Sequence, residues 1–381
     1  MKTKVSIVKC DDYNEDLVYK AVKKSIEDIG FKFKEKTKAL IKPNILSQHT
    51  PEQCITTHPV IIDAICKILK ENNCEITIGE SSGFYQEGGT KAAFRSSGIE
   101  TVAKKHNARL IVFEESPIKK INNENSHILK EIKLAQPVFD ADLIINAPKM
   151  KTHTLMTFTG AVKNLFGCMP GGLKQKCHLL ARKDDDFGSL LLDIYPHIKP
   201  GLNIMDGIIG LEGEGPGTGG SPKKTGLILA SENAIALDII AERIIGMKPE
   251  EIATTRDAVK RGLFPGYDDV EPIGELPSII YKKPKRILSK LPGFLNDFIF
   301  KNAIAYPFID KEACKRCMVC VKVCPAKTIK VKDNVVFVDK EGCVNCYCCH
   351  EMCPHKAIDL KSSKIIEILR KGRDLLAKIK E

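Results

Sequence analysis

Over the first 285 or so residues, short runs of mainly apolar, strand-like residues take turns with runs in which apolar residues recur every three or four positions. KVSIVKC reads as a strand, EDLVYKAVKKSIEDIG as an amphipathic helix ending at Gly30, and KALIKPNIL as a second strand. In TTHPVIIDAICKILKENN, Val60, Ile61, Ala64, Ile65 and Ile68 fall on one helical face. Pro59 suits the first turn, where its missing N–H is not needed, and Thr56 or Thr57 is the expected cap. CEITIGESSG, ARLIVFEE and ADLIINAP read as strands, and TKAAFRSSGIETVAKKHN as one or two helices. TGLILASENAIALDIIAERIIG reads as a strand, a cap at Ser231 or Asn233, and a helix. This order predicts an α/β fold: a mainly parallel sheet with helices on both faces, and ligands at the carboxyl ends of its strands.

The alternation thins near residue 285, which divides the chain into an α/β domain (1–285), a connector (286–304), a cysteine-rich domain (305–361) and a terminal helix (362–381). The connector carries Leu288, Leu291, Phe294, Leu295, Phe298 and Ile299 at helical spacing. Both amphipathic segments are expected to pack on protein, with a membrane surface as the less favoured partner.

At 381 residues the chain exceeds one ordinary domain. It shows neither an 18-residue apolar run nor a leader with a cleavage site, so the expected location is cytoplasmic. A formal charge of +11 raises the question of nucleic acid. Yet 49 of the 59 basic residues are lysines spread over every segment, there is no Trp, and 6% of residues are aromatic, so base-reading machinery is missing. No nucleic-acid partner is expected.

Cysteine usage changes the picture more. CKRCMVCVKVCP places Cys314, Cys317, Cys320 and Cys324 at C-x2-C-x2-C-x3-C-P spacing. CVNCYCCHEMCP repeats it with Cys343, Cys346, Cys349 and Cys353, leaving Cys348 spare. Three thiolates at three-residue steps grip three corners of an iron-sulfur cube, while the cysteine before proline turns to the neighbouring cube. Two 4Fe-4S clusters are therefore expected, one on Cys314, Cys317, Cys320 and Cys353, the other on Cys343, Cys346, Cys349 and Cys324. Structural zinc and disulfides are the alternatives, and neither predicts two copies in register. With eight thiolates and two cubane cores counted, the net charge drops to about +7. Residues 310–361 resemble a bacterial two-cluster ferredoxin, a small α+β domain. Cys10, Cys54, Cys66, Cys74, Cys168 and Cys177 share no spacing, and most are expected to be small buried hydrophobes.

The unusual polar residues gather at predicted strand ends. Lys42 and Asn44 follow one strand, Glu80, Ser81 and Ser82 another, and Lys149, Lys151 and His153 a third; Asp206, Glu212 and Glu214 lie in a glycine-rich stretch. Lys163, Asn164, Lys174 and His178 stand between them. If these lysines converge, each pair 4 Å apart repels by roughly 4 kcal/mol at an effective dielectric near 20, which an anion would relieve. The expected substrate-binding set is Lys42, Asn44, Lys149, Lys151, Asn164, Lys174, Asp206 and Glu212, around an anionic small molecule. His153, His178 and Lys163 form the expected catalytic set, the histidines as proton donors near neutral pH. Against this stand solvated lysines, histidines bonded to backbone carbonyls, and Asp206 as a turn cap. Neither GEGPGTGGSP nor GAVKNLFG matches a phosphate-loop or dinucleotide fingerprint.

NAPKMKTHTLMTFTGAVKNLFGCMPG, with KPN at 42–44 and DGIIGLEGEGPGTGG at 206–220, resembles the domain-of-unknown-function 362 family, often joined to a ferredoxin tail. That family implies no settled activity. The Lys-Pro-Asn strand end and the Thr-His-Pro helix start are similar to the N-terminal part of nickel-dependent lactate racemase-like proteins, without a motif for a tethered nickel cofactor. The expected function is an iron-sulfur oxidoreductase: electrons from a redox partner protein pass through the clusters to chemistry on an acidic substrate in the N-terminal domain. The alternatives are a non-catalytic electron carrier with a docking domain, and a non-redox, racemase-like enzyme whose clusters are structural.

Overall fold

In the computed structural model, which describes residues 2–83, 88–284 and 306–361, the strand-like segments join one ten-stranded sheet. Its members are β1 (Thr3–Lys9), β2 (Lys38–Pro43), β3 (Glu75–Glu80) and β4 (Arg109–Val112), then, beyond a separate hairpin of β5 (Ile118–Asn122) and β6 (Glu131–Ala135), β7 (Leu143–Ala147), β8 (Lys149–His153), β9 (Thr157–Thr159), β10 (Leu202–Gly213), β11 (Gly220–Ser231) and β12 (Val270–Ile273). The order is β12-β1-β11-β10-β7-β2-β3-β4, with β8 paired to β10 and β9. From β4 through β3, β2 and β7 to β10 the pairing is parallel, as the alternation of elements requires. The exceptions are β11, antiparallel to both β10 and β1, and β9 against β8. Too few residues separate β10 from β11 for a crossover, so the Gly-rich stretch 214–219 closes a hairpin.

Each face of the sheet carries its own core. Val18, Val22, Ile61, Ile65 and Phe94 from helices Glu15–Ile29, Pro59–Glu71 and Gly89–Ser96 are buried on one face. Phe187, Leu191, Leu237 and Ile240 from helices Asp184–Ile198 and Ala234–Ile244 fill the other. Full burial of one such side chain stabilises by about 1.5–3 kcal/mol. Asn14 caps the first helix through the N–H groups of Asp16 and Leu17, and Gly30 ends it at φ 79°; Asn233 caps helix 234–244. One expected cap is corrected. His58, not Thr56 or Thr57, caps helix 59–71, because the Thr57 hydroxyl donates to the Ala147 carbonyl and accepts from the Asn44 N–H, tying together the ends of β2 and β7.

The cysteine-rich part is a small α+β module of β13 (Tyr306–Ile309), β14 (Ile329–Lys332), β15 (Val335–Val338) and β16 (Ile358–Lys361), paired β13–β16 and β14–β15, with short helices Val319–Val323 and Cys348–Glu351. Its halves repeat residue for residue. Positive φ values recur at Arg316 and Asn345, at Met318 and Tyr347, and at Lys327 and Lys356. In this register Cys348 stands where Val319 stands in the first half. The module seats on the 214–219 turn, where Thr218 donates to the Cys353 carbonyl. The expected connector 286–304 and terminal helix 362–381 lie outside the described residues, among which no helix is long and apolar enough to cross a membrane.

Candidate functional site

Cys314, Cys317, Cys320 and Cys353 ring one small cavity of the module, and Cys324, Cys343, Cys346 and Cys349 ring another. The two sets are those the spacing assigns, each completed by the fourth cysteine of the other half. Among the described residues no three His, Cys, Asp or Glu groups converge on a single-ion site. The thiols instead surround a space, as a cubane cluster needs. Backbone N–H groups of Thr328 and Ala357 point at the sulfurs of Cys324 and Cys353, each at 3.3 Å, a contact that steadies thiolate charge.

A cleft of about 100 Å³ opens where the module meets the carboxyl ends of β2 and β3. Lys42, Asn44, Lys151, Lys163, Asn164, Lys174 and His178 line it from the sheet domain, with Ile45, Leu46 and Phe166 as its apolar wall. Val323, Cys348, Glu351 and Met352 close it from the module. Seven of the eleven residues expected at a site therefore share one cavity with residues next to the second cysteine set. Sequence reasoning has no signal for Glu351, a carboxylate inside a cysteine motif.

Local folding explains the placement of Lys163 and Asn164. Asp238 accepts the N–H groups of Ala161 (2.6 Å) and Val162 (3.0 Å), which fixes the short helix Ala161–Asn164. Gly160 precedes it because a Cβ there would collide with that carboxylate. Asn164 donates to Asn146 Oδ1 (2.7 Å) and to the Lys42 carbonyl (3.2 Å).

Two lysines are neutralised within the sheet domain. Lys42 pairs with buried Glu80 at 2.6 Å, and Lys149 with Asp206 at 2.8 Å beside the Tyr13 hydroxyl. Burial pushes the Glu80 carboxyl up against the pull of Lys42 and Lys174. Lys149 and Asp206 are not part of the cleft lining, and neither is Glu212, which accepts the Lys282 N–H. His153 lies at the seam instead: its Nδ1 accepts from Leu155 and Met156, and its Nε2 stands 3.7 Å from Glu351.

Among the described residues, the other three lysines have no carboxylate in salt-bridge contact. Burial, then the charges of Lys163 and Lys149, holds Lys151 well below the usual lysine range. Burial also lowers Lys163, and lowers Lys174 to about 8. His178, stacked on Phe187 with ring centroids 4.6 Å apart, is pushed down to about 3 by burial and then by Lys163 and Lys174. It is neutral at pH 7, so the sequence-based role of His178 as a proton donor there does not fit its surroundings. The depressed lysines fit that role better.

Residues 39–243 match the family described as a domain of unknown function (DUF362), and residues 306–354 match a 4Fe-4S dicluster domain. A thylakoid-associated protein of Synechocystis sp. is 30% identical over 269 residues, which cover 70% of this chain and 81% of that protein. Among solved structures, a Thermotoga maritima protein aligns with 54% of this chain and 52% of its own at 16% identity and a TM-score of 0.35. The lactate racemase apoprotein of Thermoanaerobacterium thermosaccharolyticum aligns with 54% and 50% at 15% identity and the same TM-score. The chain spans about half the length of these two structures, and a likeness this distant carries no argument.

Proposed function

The chain belongs to the DUF362 family, with a 4Fe-4S dicluster domain joined to it, and because that family name specifies no reaction, we propose one from the cleft: reduction of a small anionic molecule held on the lysines. The observation that carries this is the shared wall. Lys151 and Lys163 line the same cavity as Cys348, which adjoins Cys349 of the second cysteine set. The clusters supply one-electron equivalents. What the chain's own residues contribute is charge to bind the molecule, an apolar wall to exclude water, and lysine protons to accompany the electrons. Cys317 is exposed, so the first cysteine loop is the side offered to a redox partner protein.

The test is anaerobic. Dithionite-reduced protein is mixed with small carboxylates and phosphorylated carbonyl compounds, and cluster reoxidation is followed by visible absorption. A substrate is expected to reoxidise the wild type, and Lys163→Met to lose this with iron content unchanged. If no compound reoxidises the clusters, the electron-carrier reading takes precedence. Turnover that ignores cluster reduction would favour proton-transfer chemistry on the same lysines, with structural clusters.

A further inference from the structure

The two cysteine loops of the module share a backbone and differ in charge. Lys315 and Arg316 occupy the positions that Val344 and Asn345 hold in the second loop. Arg316 and Asn345 both stand in the left-handed region, at φ 53° and 51°. That region suits asparagine and works against a longer side chain, so the loop itself does not call for arginine. The loops also face different ways. Cys348 and Glu351, on the short helix that follows the second loop, line the cleft. Cys317, next to Arg316, is the only exposed cysteine among the described residues.

Basic side chains dominate the surroundings of Cys317. Lys315, Arg316 and His355 line the cavity ringed by the first cysteine set, and no carboxylate does. Lys356 follows His355, and all four side chains are exposed. Lys315, Arg316 and Lys356 make no ion pair with any described residue. On the approach to Cys314, Asp310 and Glu312 flank Lys311, and Asp310 turns its Oδ1 onto the N–H groups of Glu312 and Ala313. The other three cysteines of the first set are buried or half-buried, so the charges that a partner touches are these basic side chains. We propose that this basic rim around Cys317 is the docking surface for an acidic one-electron carrier protein; this rests on the reading above that the first cysteine loop is the side offered to a redox partner. Complementary charge steers such a carrier onto the exposed edge, where a cluster gains one electron as the carrier loses one, or the reverse. An anionic membrane would also favour cations, but an exposed cluster ligand at the centre of the rim suits electron exchange.

Two haem proteins test the charge: cytochrome b5, which is acidic, and cytochrome c, which is basic. Each is mixed by stopped flow with the full chain, its clusters reconstituted anaerobically, reduced, and freed of reductant. Each haem goes from Fe(III) to Fe(II) as a cluster loses one electron. The second-order rate with cytochrome b5 is expected to fall at least about tenfold between about 0.02 and 0.3 M ionic strength, and that with cytochrome c to hold level or rise. Lys315→Glu and Arg316→Asn, the latter placing the second loop's residue in the first, are each expected to lower the low-salt rate with cytochrome b5 about 3- to 10-fold. Iron content and reoxidation by a small neutral quinone stay as in wild type. Lys120→Glu, on the β5–β6 hairpin, changes net charge as much as Lys315→Glu and is expected to leave the rate unchanged. A rate with cytochrome b5 that ignores salt, or equal losses from Lys120→Glu and Lys315→Glu, would overturn the docking surface and leave the cleft reading in place. Capture by phosphatidylserine vesicles that both variants lose, with electron transfer indifferent to the same changes, would make this face a membrane surface instead. The expected salt and variant effects, together with no cleft compound that reoxidises the clusters, would keep the docking surface and favour the electron-carrier reading.

Discussion

Thr218 Oγ1 donates a 2.7 Å hydrogen bond to the carbonyl of Cys353, joining the β10–β11 turn to a cysteine of the first cluster set. Beside it, a Cβ on Gly217 would land on the Glu351 carbonyl, so only glycine lets the two domains approach this closely. Gly217→Val is expected to cost about 1–3 kcal/mol of overpacking and to push helix 348–351 off its seat. Hydrogen exchange would rise over 348–353 and affinity for small anions in the cleft would fall, with iron content retained. Unchanged exchange there would mean that the turn does not hold the module.

Cys348 and Cys349 are neighbours with opposite expectations. In the repeat, Cys348 aligns with Val319 and Cys349 with Cys320. Cys348→Ala is expected to keep about eight irons per chain, and Cys349→Ala to lose one cluster or convert it to a three-iron form. Iron analysis with low-temperature electron paramagnetic resonance separates them. Equal damage from both would reverse the register.

Anion affinity is expected to fall as pH rises. Burial holds Lys151 well below its usual range and Lys174 at about 8, so rising pH strips charge from the residues that attract the ligand. A bound anion favours the ammonium form, and binding therefore takes up protons. Calorimetry between about pH 6 and 9, in buffers of different ionisation enthalpy, measures both. Affinity that stays level or climbs would show that these lysines do not carry the binding.

Asp238 makes stability depend on pH in the opposite sense to a salt-bridged carboxylate. Burial raises its carboxyl from 3.8 to about 7. The native state keeps this proton after the unfolded chain has lost it, so stability falls as pH rises from about 4 to 7 and levels off above. Asp238→Asn is expected to flatten part of that decline. Glu242, also raised by burial, leaves a remainder. Urea unfolding of the α/β domain at several pH values from about 5 to 8 reads the two slopes; parallel curves would remove Asp238 as the cause.

We propose that the cysteine-rich module folds as a unit of its own, held by its clusters. Three of the eight buried residues in its main apolar cluster are cysteines, which leaves little core without metal. Air or chelation is expected to expose 306–361 to proteolysis while the ten-stranded body resists. Simultaneous digestion of both would count against separate folding.

Local patterns carried much of this protein in the sequence. Apolar periodicity specifies a strand or helix within one segment, and the cysteine spacing specifies both cluster sets because three ligands of each sit on one short loop, while the repeat supplies the fourth. The lysines show where such reading stops. Lys149 and Lys151 are two residues apart on β8, yet they pair with Asp206 and Leu211 of β10, and the register shift between them sends one to a carboxylate and the other to the cleft. Local spacing cannot reveal a bulge set by a partner strand. Nor can it reveal that Glu351 faces Lys163 across a domain seam, or that burial beside Phe187 keeps His178 neutral. Charge and proton affinity depend on what surrounds a group in space, and here those neighbours come from distant parts of the chain.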